Sequence, residues 1–243
     1  MESVVHAFRL LGDEIKSLKD QLVTKERLAV LGEVSAGIAH EFRNPMGVIA
    51  GYARLLLKSF DENDMRREIV QGILKEIDEM NRVMEELLKF SKSEPIKKDS
   101  MDITKVIKDV IQSFAKTLIN QGKKIEFALK DGIAIKADET LLRQAIRNLI
   151  QNALDAGDRV WINIEKGAYL NKEGVFIDIK DNGSGMSEDN LSKIFMPFYT
   201  TKNGGSGIGL ALAQKIIMGH GGNISVESKE GEGSLFRLFL PME

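Results

Sequence analysis

The sequence predicts an α+β protein built from two parts: a dimeric antiparallel four-helix bundle with a coiled-coil entry, followed by an α/β-sandwich domain. Over residues 1–92, apolar side chains recur every three or four residues, which is the spacing of amphipathic helices. After the polar stretch SKSEPIKKDS, alternating runs typical of strands appear between helical segments. With 243 residues, the chain is long enough for two domains of modest size.

Composition and charge exclude several classes of protein. The chain has no cysteine, so disulfides, thiol nucleophiles and cysteine-bound metals are excluded. Its formal net charge of -2 offers no basic field for nucleic acid or for a membrane surface. No stretch resembles a signal peptide or a membrane-spanning helix. We therefore expect a cytoplasmic protein, or the cytoplasmic part of a longer protein attached to a membrane only through a missing upstream segment.

The first helix begins with a coiled-coil pattern. Apolar residues step by three and four along residues 1–24, and they are Phe8, Leu11, Ile15, Leu18 and Leu22. The next apolar set, Leu28, Leu31 and Ile38, is out of phase with that seam, which locally over- or underwinds a coiled coil. We interpret residues 1–24 as a coiled-coil signalling helix; the alternative is a packed helix with an irregular pattern.

A second helix is predicted from about Asp64 to Ser91, after the polar turn SFDEND. Its apolar face consists of Ile69, Ile73, Ile77, Met80, Met84 and Leu87. Two helices with one apolar stripe each make a poor monomer, whereas two copies of the hairpin close a four-helix core. We therefore interpret residues 25–92 as a dimerisation domain, and we expect a homodimer through this bundle.

A linker and a second domain follow the helices. Pro95 cannot continue a helix, and residues 93–100 are polar, so this stretch is interpreted as a linker. The second domain covers residues 101–243. Helices are expected at 103–119, with Asp102 as the N-cap, and at 138–156 and 207–218. Strands are expected at KIEFAL, GIAIKA, VWINIE and VFIDIKD, and in a final hairpin of NISVES and SLFRLFLP.

The stretch AGIAHEFRNP in the first helix contains a candidate nucleophile. A neutral imidazole such as His40 carries a lone pair on one ring nitrogen, and an acid can hold the N–H of the other. Pro45 lacks the N–H that would bond the carbonyl of residue 41, so the helix should bend just beyond His40. Taken alone, the pattern also fits a histidine satisfied within a helical bundle.

The helix LLRQAIRNLIQNALDA contains two asparagines where helix-forming residues are expected. Asn148 and Asn152 are four residues apart and therefore lie on the same face. Asparagine has low helix propensity, so two asparagines in the middle of one helix suggest a role other than forming the helix. A side-chain carbonyl oxygen is a hard ligand suited to Mg²⁺. Taken alone, the two side chains could simply face solvent.

Two glycine-containing loops follow predicted strands or open helices. In DNGSGM, Asp181 lies at a strand end, where it can accept a hydrogen bond from an exocyclic amine, and glycines allow a flat base to approach the backbone. GGSGIGLAL opens a helix, and free backbone amides at a helix N-terminus favour an anion. This loop is neither a Walker A loop nor a Rossmann loop. Each motif alone is weak evidence.

Together, the motifs carry a resemblance to a known family. Their order resembles the N, G1 and G2 boxes of the ATP-binding fold shared by histidine kinases, DNA gyrase B, MutL and heat-shock chaperones. FMPFYTTK resembles the F box of the kinases, and AHEFRNP resembles their H box. Over about residues 25–240, the chain thus resembles a sensor histidine kinase of two-component systems. The resemblance implies a HisKA dimerisation and phosphoacceptor domain followed by a GHKL-type (Bergerat) HATPase domain.

The resemblance implies that the second domain binds ATP and Mg²⁺. Asn152 would be the metal ligand, with Asn148 in support, and Asp181 would bind the adenine amine. Lys202 would add a charge near the γ-phosphate, or it would be a solvated loop lysine. The full set of expected nucleotide contacts is Asn148, Asn152, Asp155, Asp181, Gly183, Gly185, Phe195, Phe198, Thr201, Lys202, Gly205, Ser206, Gly207, Ile208, Gly209 and Leu210.

The resemblance also implies a protein-histidine kinase activity. His40 would be the phosphoacceptor, Glu41 its acid–base partner, and the phosphoryl group would pass to an aspartate on the receiver domain of a response regulator. Asn44, one turn beyond His40, would position water for a phosphatase activity toward that regulator. The expected docking surface lies beside His40, where Arg43, Arg54 and Lys58 would help.

Two other functions were weighed against the kinase. A GHKL-type ATPase that works as a mechanical switch would have a catalytic glutamate one turn before Asn152, and no acceptor histidine. The chain has Asn148 there, which is no base, so we expect slow ATP hydrolysis in the absence of an acceptor. A non-catalytic signalling scaffold would bind partners only, and the intact motifs argue against it.

Overall fold

The computed structural model of the protein describes residues 19, 26, 30, 37–39, 41–91, 95–128, 132–202 and 205–243. His40 and, apart from residue 19, the predicted coiled coil of residues 1–24 with its phase break lie outside the described residues. Contacts divide the chain into a helical unit, Glu26–Glu94, and an α/β unit that contains Pro95–Glu243. Among the described residues, no helix has the length and apolar character needed to cross a membrane.

The helical unit is a hairpin of two helices. Helix α1 includes residues 41–59 and passes through Pro45, and α2 extends over Arg66–Ser91. Asp64 accepts a hydrogen bond from the backbone N–H of Arg66 at 2.9 Å, so it lies just before α2 instead of within it. Arg67 donates to the carbonyls of Leu57 (3.0 Å) and Phe60 (2.9 Å), and thereby satisfies backbone acceptors at the end of α1.

The core between α1 and α2 is small. Met46, Ala50 and Ile77 are buried together, and Leu74 and Met84 pack against them. Many other large apolar side chains of the hairpin remain exposed: Phe42, Val48, Ile49, Tyr52, Leu55, Leu56, Met65, Ile69, Ile73 and Met80. The hairpin therefore carries more apolar surface than a single chain covers.

The α/β unit contains five helices and seven strands among the described residues. The strands are β1 Asp99–Asp102, β2 Lys124–Ala128, β3 Ala134–Ala137, β4 Arg159–Tyr169, β5 Lys172–Asp181, β6 Asn223–Lys229 and β7 Gly233–Pro241. The helices are α3 Ile103–Ser113, α4 Ala115–Gln121, α5 Glu139–Ala156, α6 Glu188–Leu191 and α7 Gly209–Gly219.

The main sheet has five strands in the order β2-β4-β5-β7-β6. β2 pairs with β4 in parallel, and the other neighbouring pairs are antiparallel. β1 and β3 form a separate antiparallel pair. Alternate residues of the central strands are buried on the side of α5 and α7, among them Ile162, Ile177 and Leu238. The predicted α+β class, with a helical segment followed by an α/β sandwich, is confirmed.

The face of the main sheet opposite α5 and α7 is covered by side chains of the strands themselves. The rings of Tyr169 and Phe176 lie 5.3 Å and 5.2 Å from that of Phe239. Gly174 leaves the space that the Phe239 ring occupies, since a Cβ there would lie 2.5 Å from it. Arg237 forms a bidentate pair with Asp178, with both N–O distances at 2.7 Å.

Two helices differ from the sequence prediction. The helix expected at 103–119 is broken at Phe114, which is buried, and whose N–H donates to the carbonyl of Ile111 at 3.0 Å. The guanidinium of Arg147 lies 5.2 Å from the Phe114 ring, so packing against α5 overrides the helical pattern. α7 begins at Gly209 instead of Gly207, because Gly207 has a φ of 68°, outside the helical region. The predicted N-cap Asp102 is confirmed by its bond to the Thr104 N–H (2.9 Å).

Residues 96–98 attach to the α/β unit at the junction of α5 and α7. Ile96 packs closely against Gly219: a Cβ added to Gly219 would lie 2.6 Å from the Cδ1 atom of Ile96. The Lys97 N–H donates to Asp138 (3.3 Å), and Lys98 donates to the carbonyl of His220 (3.3 Å). His220 in turn accepts a bond from the Asp138 N–H through Nε2 at 3.0 Å, and its Nδ1 donates to a helix carbonyl. We name these contacts the linker attachment.

Candidate functional site

Helix α5 presents the two predicted asparagines at the edge of the core. Asp138 caps its first turn by accepting from the Leu141 N–H at 3.1 Å. The apolar side of α5, which includes Leu142, Ile146, Leu149 and Ala153, is buried. Asn148 and Asn152 are both half-buried one turn apart, as their spacing predicts.

Asn148 connects α5 to α7. Its Nδ2 donates to the carbonyl of Gly209, the first residue of α7, at 3.1 Å. A Cβ on Gly209 would lie 3.8 Å from this amide, an ordinary contact, so the site does not require glycine for space. Asn148 therefore positions the start of the helix that follows the glycine-rich loop.

Asn152 accepts a hydrogen bond from a lysine. The ammonium nitrogen of Lys202 lies 2.8 Å from Asn152 Oδ1 and 3.3 Å from Asp155 Oδ2. Asp155 also accepts from Gln151 at 2.6 Å, which holds its carboxylate against the helix. Lys202 thus contacts the end of α5; its role beside the γ-phosphate stays a prediction.

Asp181 is a buried carboxylate with one oxygen unsatisfied. It ends β5 and is 1% exposed. Oδ1 accepts from the N–H of Gly183 (2.8 Å) and of Ser234 (3.3 Å), whereas Oδ2 has no hydrogen-bond partner among the described residues. Burial raises the pKa of Asp181 above its ordinary value, and the two N–H bonds and the charge of Lys202 oppose that rise. A buried acceptor left open in this way requires a donor.

The glycines around Asp181 are needed for close backbone contacts. A Cβ on Gly183 would lie 2.5 Å from the Ala156 carbonyl oxygen. Gly185 has a φ of 65°, and its Cβ would lie 1.9 Å from the carbonyl oxygen of Lys229. The structure shows that Gly185 makes room for the β6–β7 turn, and its role in making room for a base stays a prediction.

Between β5 and α7, two residues at the ends of a shorter loop, Phe198 and Gly207, contact each other. The Phe198 N–H donates to the Gly207 carbonyl at 3.1 Å. Phe198 has a φ of 68°, an uncommon value for a bulky residue, and a Cβ on Gly207 would lie 2.5 Å from its carbonyl carbon. Tyr199 donates to Asn190 at 2.5 Å beside this contact. The contact between Phe198 and Gly207 therefore closes the base of this loop.

The remaining predicted nucleotide contacts of residues 195–210 lie around this loop. Ile194 is the buried anchor of the segment, whereas Phe195 is half-buried and Phe198 is 49% exposed. Ile208 is buried. Thr201 and Gly205 are exposed, and Ser206, Gly207, Gly209 and Leu210 are half-buried. The structure brings Asn152, Asp155 and Lys202 into contact; it places Asp181 at the end of β5, held by Gly183 and Ser234.

The H-box residues belong to the helical unit. His40 lies outside the described residues, and its neighbours Glu41 and Asn44 are solvent-exposed on α1. The side chains of Arg43, Arg54 and Lys58 are exposed on the same helix.

Sequence reasoning missed three contributors to the site. The Ser234 N–H donates to Asp181, and Tyr199 donates to Asn190 beside the base of the loop. Gly233 has a φ of 83°, and its backbone packs so closely that an added Cβ would lie 2.1 Å from the Asp181 carbonyl oxygen. For Gly233, the glycine-containing turn KEGEG was the available signal in the sequence. The other two depend on contacts across 53 and 9 residues of sequence, which a local pattern does not contain.

The side chains fit an adenine nucleotide and a divalent cation. The open Asp181 Oδ2 matches an exocyclic amine donor, and a cationic nitrogen already lies on Asn152 Oδ1. Among the described residues, no group of three or more histidines and carboxylates could hold a metal ion by itself. Asn152 would therefore share the ion with phosphate oxygens and water, the arrangement usual for Mg²⁺.

Comparison with known proteins identifies both units. Residues 137–243 match the family model described as histidine kinase-, DNA gyrase B-, and HSP90-like ATPase. Residues 30–96 match the His Kinase A phospho-acceptor domain. Together the two matches cover more than half of the chain.

Two curated relatives are sensor kinases of Escherichia coli K12. The chain is 36% identical over 230 residues to the sensor histidine kinase ZraS, across 93% of this chain and 48% of ZraS. It is 35% identical over 229 residues to the signal transduction histidine-protein kinase AtoS, across 93% of this chain and 37% of AtoS. The chain thus spans about half or less of the length of these relatives.

A solved structure of the histidine kinase ThkA in complex with the response regulator protein TrrA is similar to the chain. The TM-score is 0.66 at 27% identity, across 95% of this chain and 67% of that chain. With a phospho-acceptor domain followed by a kinase-type ATPase domain, the chain belongs to the sensor histidine kinases of two-component systems.

Proposed function

We propose that the chain transfers the γ-phosphoryl group of ATP to His40 and then to an aspartate on the receiver domain of a response regulator. The observation that carries the proposal is the buried, open oxygen of Asp181 at the end of β5. ZraS and AtoS, to which the chain is similar, are both named as histidine kinases.

Adenine recognition rests on Asp181. Its Oδ1 is held by two backbone N–H groups, so Oδ2 has a fixed direction. An exocyclic amine donating to Oδ2 satisfies a carboxylate whose burial is otherwise costly. A base without a donor at that position leaves the oxygen unpaired, which gives selectivity for adenine.

The phosphates and the metal are assigned to the end of α5 and the glycine-rich loop. Asn152 would hold Mg²⁺, which neutralises the charge of the phosphate oxygens when bound. Asn148 positions the first turn of α7, whose free N–H groups favour an anion. The loop of residues 198–207 would close over the phosphates.

The acceptor reaction needs His40 as nucleophile. A neutral ring nitrogen attacks the γ-phosphorus, the N–P bond forms as the bond to the ADP oxygen breaks, and Glu41 takes the proton from the other ring nitrogen. Asn148 is not a base, so water is not activated beside the phosphate. Glu41 is solvent-exposed, which leaves this part of α1 accessible to the ATP-binding domain and to a regulator.

We also propose a homodimer and a phosphatase activity. A second copy of the hairpin would cover the exposed apolar side chains of α1 and α2. Asn44, exposed one turn beyond His40, would aim a water at a phosphoaspartate on the regulator. The complex of ThkA with a response regulator supports a regulator as the partner.

The kinase is tested with γ-³²P-ATP and Mg²⁺. We expect label in an acid-labile, alkali-stable adduct of the chain, and no label in His40→Gln or Asp181→Asn. In Asp181→Asn the amide N–H₂ faces the adenine amine, so two donors oppose each other and nucleotide affinity should fall at least about a hundredfold.

Other outcomes separate the alternatives. Rapid steady ATP hydrolysis without label on His40 would indicate a mechanical ATPase, and absence of nucleotide binding would indicate a scaffold. For the phosphatase, Asn44→Ala should lose dephosphorylation of the phosphorylated regulator while it keeps autophosphorylation. Full phosphatase activity in this variant would remove Asn44 from the proposal.

A further inference from the structure

The strongest unassigned feature is the set of contacts made by Lys202. Its ammonium nitrogen lies 2.8 Å from Asn152 Oδ1, 3.4 Å from the Asn152 carbonyl oxygen and 3.3 Å from Asp155 Oδ2. Three oxygens from one turn of α5 therefore surround one cation. The side chain is 38% exposed, and these three contacts hold it against the helix.

The contacts place the lysine on the proposed metal ligand. Asn152 Oδ1 is the oxygen that the proposed function assigns to Mg²⁺, and Lys202 uses that same oxygen. An ammonium group at hydrogen-bond distance and a divalent cation at about 2.1 Å would be only a few ångströms apart on one oxygen. Their repulsion makes the two occupants exclusive.

Negative charge around Asn152 favours a bound cation. The Asp155 carboxylate lies at 3.3 Å, and Asp181 lies close enough for the Lys202 charge to oppose the burial-driven rise of its pKa. A nucleotide would bring further negative charge from its phosphates. Either the lysine or a metal must then balance these carboxylates and phosphates.

We propose that Lys202 and Mg²⁺ are alternative occupants of Asn152, so that Lys202 is a built-in counter-ion that metal-loaded nucleotide displaces. This inference rests on the proposed function, because it needs a nucleotide site at α5. Without metal, the lysine keeps a positive charge beside the phosphates. With metal, it leaves Asn152 and carries residues 199–202 of the loop with it.

The inference predicts how nucleotide binding depends on metal. Wild-type chain should bind ADP measurably without metal, because Lys202 supplies the charge. Lys202→Met should weaken metal-free ADP binding by roughly tenfold, the scale of one charge-assisted contact. Its affinity for ADP with Mg²⁺ should be unchanged or up to threefold tighter, because no side chain has to be displaced.

The experiment is calorimetric titration of ADP into the full chain, once in excess EDTA and once in excess MgCl₂. ADP lacks the transferable phosphoryl group, so the readout is binding and not kinase activity. Lys202→Gln serves as a second variant that keeps a polar side chain. The fluorescence of Trp161, the chain's single tryptophan, checks that each variant's α/β unit is folded.

The matched control is Lys180→Met, which removes an exposed lysine from β5. It should leave the ratio of the two dissociation constants unchanged. If wild type binds ADP but Lys202→Met weakens both titrations equally, Lys202 is a simple phosphate contact and the inference is overturned. Unchanged binding in both conditions also overturns it. If wild type binds no ADP even with Mg²⁺, the proposed function fails and the inference fails with it.

Discussion

The two units of the chain differ in how completely they bury their apolar side chains. The α/β unit buries large residues on both the sheet and the helices, including Phe114, Leu149 and Phe236. The helical unit buries Met46 and Ile77, while Phe42, Tyr52 and Ile69 stay more than half exposed. Both units have ordinary amphipathic helices, so the difference lies in what those helices have to pack against.

The comparison indicates that the two units reach stability by different routes. The α/β unit closes its core within one chain, because the sheet supplies an apolar face for α5 and α7. The helical hairpin has no such partner in its own chain, and its exposed stripe matches the interior of a four-helix bundle. The stability of the helical unit should therefore depend on protein concentration, and that of the α/β unit should not.

The largest expected effect is on the helical unit alone. Ile69→Glu adds a charge to the exposed stripe of α2, where Ile69 is 66% exposed in the single chain. In a bundle of two chains the charge would be buried twice, and dimer dissociation should rise at least about a hundredfold. Analytical ultracentrifugation measures the dissociation constant.

The control for this variant is Gln71→Glu, which adds the same charge to an exposed position on another side of α2. It should leave the dimer intact. Equal dissociation in the two variants, or a wild type that is monomeric at all concentrations, would contradict the bundle.

The next effect is confined to the α/β unit. Gly185→Ala places a methyl group 1.9 Å from the Lys229 carbonyl oxygen at a φ of 65°, so the β6–β7 turn must move. We expect the unit to lose about 3 kcal/mol of unfolding free energy. Denaturant unfolding followed by Trp161 fluorescence measures it. Gly231→Ala, at a φ of 81° with open space around it, is the matched control and should lose less.

A smaller loss is expected at the linker attachment. His220→Ala removes the acceptor of the Asp138 N–H and leaves that group with one partner fewer inside the unit. We expect about 2 kcal/mol less stability in the α/β unit and no change in the dimer constant. A change in dimer dissociation without loss of unit stability would contradict the independence of the two cores.

The stabilisation by His220 should depend on pH. Burial lowers the pKa of the His220 imidazole, and the positive charge of Lys98 lowers it further, while the Ile216 carbonyl and Asp138 oppose this. As the pH falls, the imidazole is therefore protonated in the unfolded state before it is protonated in the folded state. The contribution of His220 to the unfolding free energy is complete above a pH of about 6.5 and is lost as the pH falls below that value. The melting-temperature difference between wild type and His220→Ala should be constant from pH 7 to 8 and shrink toward pH 5. A constant difference throughout would refute this.

The smallest effect is expected on the sheet's outer face. Glu126 accepts a bond from the Trp161 indole N–H at 3.0 Å on an exposed surface. Glu126→Gln keeps an acceptor at this position, so stability should change by less than about 0.5 kcal/mol. A loss near that of Gly185→Ala would show that this face is more important to the unit than its exposure suggests.

Much of the fold could be predicted because it follows local patterns. The N-cap Asp102, the helix after Asp138 and the alternating strands β4 and β5 occur where the sequence indicates them. The break at Phe114 and the late start of α7 depend on tertiary packing and on a positive φ. Neither leaves a signature in helical spacing.

The candidate site could be predicted as a set of residues, but its contacts could not. The spacing of Asn148 and Asn152 indicates a shared face, yet not that Asn148 bonds to Gly209 or that Lys202 reaches Asn152. The contact between Lys202 and Asn152 spans 50 residues of sequence, which no local pattern contains. Asp181 needed the fold to show that one oxygen is held and the other is open.

The linker attachment has a mechanical consequence. Residues 96–98 contact the unit through Gly219, His220 and Asp138, and Asp138 is the N-cap of α5. Tension applied at Pro95 would therefore reach the first turn of α5, the helix that carries Asn152, before it reaches any strand of the main sheet. A pull or twist on the chain would therefore act first on α5, which carries the proposed metal ligand Asn152.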